Sequence, residues 1–188
     1  MRLSLGSIRG NRHFLEQGIR LLDQIPLELY RSPTRSGWAS VGTQFRHVLD
    51  HYRAFIAGWE SGRVDYDARQ RDRMIESDPA EAILQARATI SALDQIDVEN
   101  ANHPIAVQMD SGGDQRMPDW RPSTVGRELQ FLVSHTIHHY ALIKLLLEDV
   151  GIDPGSEFGV APSSLPSRTV PALERPSRLT ERATAVKG

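Results

Sequence analysis

Leu129-Gln130-Phe131-Leu132-Val133-Ser134-His135-Thr136-Ile137-His138-His139-Tyr140-Ala141-Leu142-Ile143 is the stretch whose reading decides the fold. Leu129, Leu132, Val133, Thr136, Ile143, Leu146 and Leu147 recur at helical spacing and predict a long helix. Ser123 or Thr124 can cap its start, with Glu128 as a favourable charge in the first turns. Gly151 is its expected stop, with Pro154 shortly after. Side chains four apart on a helix share a face. His135 and His139 therefore fall together on the face Leu132-His135-His139-Ile143-Leu146, which points inward. His138 lies on another stripe, Phe131-Ser134-His138-Leu142-Leu145, and is the less favoured ligand.

A buried imidazole without a partner costs about 1–3 kcal/mol. A metal ion satisfies one nitrogen on each ring; hydrogen bonds to neighbouring side chains are the simpler alternative. A second pair, His47 and His51, weighs toward the metal, because both also fall on the apolar side of a predicted helix. A third imidazole would complete a three-histidine site with an open position for water or substrate. One of His47 and His51 would coordinate. The other, one turn away, would stand behind the ligands or reach substrate. His51 and the adjacent Asp50 are the candidate catalytic residues, orienting ligands or moving protons; for Asp50 a solvated helix face competes with that role. His13 and His103 read as surface or loop histidines.

Three further helices are expected. The first spans about Ile8 to Tyr30, with Phe14, Ile19, Leu22, Ile25 and Leu29 in register and an interruption at Pro26. Ser32-Pro33-Thr34-Arg35-Ser36-Gly37 reads as a loop. The second starts near Ser40, capped by Ser40 or Thr43, and stops between Gly58 and Gly62; Phe45, Val48, Leu49, Tyr52, Phe55, Ile56 and Trp59 form its apolar face. The stretch from Val64 to Asp72 is charged and aperiodic and predicts a long irregular connection. Its part Tyr66-Asp67-Ala68-Arg69-Gln70-Arg71 could roof the site and clamp an anion; a surface ion-pair loop is the simpler reading. The third helix opens at Ser77-Asp78-Pro79, with Ala82, Ile83, Ala86, Ile90, Leu93 and Ile96 as its stripe; Glu76 reads as structural. Pro104 to Met109 predicts a short strand, Asp110 to Asp114 a turn, and Arg116-Met117-Pro118 a weak return strand at an edge.

The expected architecture is all-α: a four-helix bundle with a long crossover connection, with room for a short β-hairpin before the last helix. Residues 1–154 would form the bundle. Residues 155–188 read as a proline-rich extension, docked near Phe158-Gly159-Val160-Ala161 and mobile beyond about Ser167.

Composition narrows the function. The net charge is −2, and Lys144 and Lys187 are the two lysines, so no dense basic stripe argues for nucleic acid. The absence of cysteine removes disulfides, thiolate ligands and a cysteine nucleophile, and fits a cytoplasmic setting. Met1-Arg2-Leu3-Ser4-Leu5-Gly6 has no apolar core of a signal peptide, and no stretch approaches the length of a membrane span.

Two blocks carry a resemblance. Gly42-Thr43-Gln44-Phe45-Arg46-His47-Val48-Leu49-Asp50-His51-Tyr52 and Gly126-Arg127-Glu128-Leu129-Gln130-Phe131-Leu132-Val133-Ser134-His135-Thr136-Ile137-His138-His139-Tyr140 resemble the DinB-like family of metal-dependent four-helix bundles. The likeness covers about residues 8 to 150. It implies that one histidine of the second helix joins an H-x-x-x-H pair of the fourth, giving His47, His135 and His139 as metal ligands. It further implies a divalent metal, often zinc or nickel, and frequently a homodimer. Members of known activity include S-transferases that use a low-molecular-weight thiol. The expected function is thus a metal-dependent enzyme acting on a small-molecule substrate by activating a water or thiol nucleophile. A thiol-dependent transferase leads; a hydrolase of an amide or ester, or a non-enzymatic metal- or ligand-binding bundle, are the alternatives.

Overall fold

The computed structural model describes residues 6–33, 39–110 and 119–165. They are mostly helical, with a small three-stranded sheet. Helix α1 spans Gly6–Leu22 and the short α2 spans Leu27–Arg31. The first predicted helix is therefore two, with Pro26 as the N-cap residue of α2. The break lets Tyr30 turn into the core, where its hydroxyl donates to the Ile75 carbonyl at 2.5 Å.

Helix α3, Val41–Gly58, starts where its cap predicts: the Ser40 hydroxyl accepts from the Thr43 amide at 3.1 Å. Strand β1, Arg63–Asp65, takes up the start of the expected irregular connection, and the short helix α4, Arg73–Ser77, follows it. Three residues are too few to show alternation, so β1 is defined by its partner and not by its own pattern. Helix α5 runs Pro79–Leu93 behind an Asp78 cap whose carboxylate accepts from the Ala80 amide, with proline in the first turn. Strand β2 is Pro104–Gln108 and β3 is Arg121–Thr124. The sheet order is β1-β2-β3, with β1 parallel and β3 antiparallel to β2. The antiparallel partner of the 104–108 strand is thus 121–124. The expected turn at 111–114 and return strand Arg116-Met117-Pro118 lie outside the described residues, as do residues 34–37 of the expected loop and the expected tail beyond Ser167. Helix α6, Val125–Glu148, is capped by Thr124.

Each of α1 and α3 packs against both α5 and α6. Phe14, Leu15, Phe45, Leu49, Tyr52, Leu129, Leu132, Tyr140 and Ile143 are buried between them. One polar thread crosses this core. The Tyr52 hydroxyl donates to Asn11 Oδ1 at 2.6 Å and lies 3.1 Å from Thr136 Oγ1. Asn11 Nδ2 donates in turn to the Leu129 carbonyl at 2.8 Å. Three helices are thereby fixed in register by groups that would each be costly to leave unpaired.

After α6 the chain folds back. Phe158 is buried and stacks on Tyr140 with ring centroids 4.8 Å apart. Gln17 bonds both the Glu157 carbonyl and the Gly159 amide. Gly159 sits at φ +67°, and a Cβ there would press on the Tyr140–Ala141 backbone, so only glycine fits. Among the described residues no helix is long and apolar enough to cross a membrane.

Candidate metal centre

The site is built from two helix faces. On α3, Gln44, His47 and His51 lie one turn after another; on α6, Phe131, His135 and His139 do the same. Because α3 packs along α6, the two rows meet. One ring nitrogen from each of His47, His135 and His139 lies within 4.8 Å of the others. The three rings are half-buried. His135 Nε2 and His139 Nε2 are 3.2 Å apart. Two nitrogens bound to a tetrahedral ion at 2.0–2.1 Å would stand about 3.3 Å apart, so this pair is already at coordination spacing.

The proton inventory also fits. His139 Nδ1 is 2.5 Å from Gln44 Oε1, an oxygen that can only accept, so Nδ1 carries the proton and Nε2 presents a lone pair to the cluster. Burial pushes His47 and His135 down to about 4 and His139 to about 3, helped by repulsion among the histidines themselves. At neutral pH all three rings are therefore uncharged, the form a metal ion requires.

A model of the DinB family matches residues 8–158. The chain belongs to the DinB family. It is also similar, at 31% identity, to a protein of Rhizopus delemar described as FK506-binding protein 5; that match takes in 54% of this chain and 26% of the other, so the likeness spans about a quarter of that relative's length.

Within this DinB-family site the other candidates separate. His51 does not join the cluster. Its Nδ1 donates to the His47 carbonyl at 2.8 Å and its Nε2 accepts from Arg69 Nη1 at 2.5 Å, so both nitrogens are engaged. Its ring nonetheless packs 4.0 Å from His135. His138 is exposed beside His139 and outside the cluster. Asp50 is 2% exposed, so the solvated-face reading fails. It accepts from Arg46 Nη1 at 3.0 Å, while Arg46 Nε donates to Glu76 at 2.8 Å and Thr43 donates to the other Glu76 oxygen. Burial pushes the Asp50 carboxyl up, and Arg46 opposes that. Glu76 thus has the structural role expected of it.

The sequence reading gave Gln44 no role and did not find the buried contacts of Tyr66 and Glu128. Gln44 has no signal beyond lying one turn before His47. Tyr66 stacks on His51 and meets Phe131 edge-on, and its hydroxyl donates to Glu128 at 2.9 Å. Glu128, expected as a helix-start charge, is 1% exposed and also takes bonds from Ser123 and Arg127. The pattern that would have found it is an inward register on α6, seven residues before His135. The segment after β1 thus reaches His51 through Tyr66 and Arg69, while Gln70 and Asp72 bind Arg53 nearer the surface.

Proposed function

We propose that His47, His135 and His139 hold a divalent metal ion inside a four-helix bundle of α1, α3, α5 and α6. The protein is then a metal-dependent enzyme for a small-molecule substrate. One observation carries this reading: three uncharged imidazole nitrogens from two helices converge within 4.8 Å, with no carboxylate in the cluster among the described residues. Three neutral ligands leave the ion's charge uncompensated and a coordination position free. When bound, the ion supplies Lewis acidity, which favours a deprotonated water or thiol nucleophile or polarises a carbonyl.

The protein's own residues supply position. Gln44 holds the His139 proton at Nδ1 and aims Nε2 at the cluster. His51, kept neutral by burial, acts as a hydrogen-bond acceptor and a wall beside His135. Asp50 fixes Arg46, which also holds Glu76 of α4. In this reading His51 and Asp50 orient the site. Membership of the DinB family favours transfer of a low-molecular-weight thiol as the first reaction to screen, with amide or ester hydrolysis next.

The test is elemental analysis of untagged protein from metal-replete medium beside a His135→Ala/His139→Ala variant. We expect close to one divalent ion per chain in the wild type and its loss in the variant. Metal-free protein in both cases, even after reloading, would overturn the reading.

A further inference from the structure

Arg69 is held differently from the other arginines around the histidines. Arg46 is committed to Asp50 and Glu76, Arg53 to Asp72 and Gln70, and Arg127 to Glu128. Arg69 has no ion pair among the described residues, although it is half-buried. Its guanidinium donates to a neutral imidazole, Nη1 lying 2.5 Å from His51 Nε2 and 3.4 Å from Nδ1. Burial works against its charge; Asp50 and Asp67 favour it from beyond ion-pair distance, and Arg71 and Arg46 oppose it. The guanidinium is therefore one ring away from the triad, since His51 packs 4.0 Å from His135 and Phe131 closes the same side at 5.4 Å from His135.

A half-buried cation facing a neutral acceptor is incompletely compensated, and an anion at that point relieves the deficit. Its charge and shape say which anion. One guanidinium brings one positive charge in a planar fork that matches the two oxygens of a carboxylate. A phosphate dianion would call for a second cation at the same depth; Arg46, Arg53 and Arg127 are already paired, and Arg71, which also acts on Arg69, is exposed to solvent. We propose that Arg69 anchors a substrate carboxylate beside His51, next to the three-histidine cluster. The substrate class is then a small monocarboxylate whose reacting group lies on the triad side, a statement that rests on the triad being the reacting centre.

The probes are benzoate and its neutral isostere benzamide, titrated calorimetrically at low ionic strength into full-length protein loaded with nickel. Benzoate should bind saturably and benzamide about tenfold or more weaker, because the charge-assisted bond is missing. Arg69→Gln should lose the preference for benzoate while keeping its nickel and its melting temperature. Arg69→Lys, which keeps the charge without the fork, should recover part of it and serves if the glutamine variant fails to fold. Equal binding of the two probes to wild type, unchanged benzoate binding in Arg69→Gln, or tighter binding of inorganic phosphate than of benzoate would overturn the anchor. Nickel content on the same samples separates the two readings. Nickel-bearing protein blind to the carboxylate removes the anchor alone. Nickel-free protein that still binds benzoate through Arg69 removes the metal centre alone.

Discussion

Gln44 shows how one uncharged side chain can set the chemistry of a neighbour. By accepting from His139 Nδ1 it decides which nitrogen faces the cluster. Gln44→Leu should keep the fold and the metal stoichiometry but weaken metal binding by about 10–100-fold, measured by competition with a chelating dye; unchanged affinity would deny Gln44 this role. The histidines also make a pH prediction for the metal-free protein. His47 and His135 titrate near 4 and His139 near 3 in the folded state, below the ordinary histidine value. Between that value and about 4 the unfolded chain binds more protons, so stability is complete above about pH 6.5 and falls as pH drops through this window. Denaturant midpoints from pH 7.5 to 4 should decline, and His139→Asn should flatten the decline. A flat wild-type profile would contradict the buried, neutral state of these rings. The pairs themselves are legible in the sequence because i and i+4 positions on one helix share a face whatever lies opposite. The bonds from His139 to Gln44 and from Tyr66 to Glu128 are not legible, because they join residues 95 and 62 positions apart.

The long helices are readable as elements because α3, α5 and α6 carry start signals, Ser40, Asp78 with Pro79, and Thr124, and α1 shows apolar residues at helical spacing. The short elements are not. Strand β1 exists by pairing Arg63, Val64 and Asp65 with Ala106, Val107 and Gln108, a register that no local pattern announces. Yet β1 leads the chain to Tyr66 and Arg69 against His51, so a three-residue strand positions the residues beside the site. Helix packing is equally sensitive at Gly18. A Cβ on this residue would run into the Tyr140 hydroxyl and the Phe45 ring. Helix propensity alone says Gly18→Ala stabilises α1 by up to about 1 kcal/mol. Overpacking reverses the sign, and we expect a loss of about 1–3 kcal/mol in urea unfolding. A stabilised variant would show that α1 and α6 are less closely packed than described.

For the molecule as a whole, the question is whether the metal holds the fold or the fold holds the metal. The apolar core from Ile8 to Phe158 and the Asn11–Tyr52–Thr136 thread connect the helices without using any cluster histidine. Chelated protein should therefore keep its helical circular dichroism and a cooperative melt, with a lower midpoint that recovers on reloading through ligand linkage. Loss of the cooperative transition on chelation would assign the ion a structural role. By itself the sequence determined where the long helices lie, that two histidine pairs each occupy one inward face, and that the likeness is to the DinB family. These are local properties, set by a 3.6-residue period and by caps within four residues. The family resemblance named His47 with His135 and His139; the tertiary structure adds that their ring nitrogens converge, that Gln44 orients His139, and that Tyr66 and Arg69 engage His51. Those outcomes depend on how far α3 is rotated and shifted against α6. That relation is set by packing across the whole core, and no spacing within a single helix encodes it.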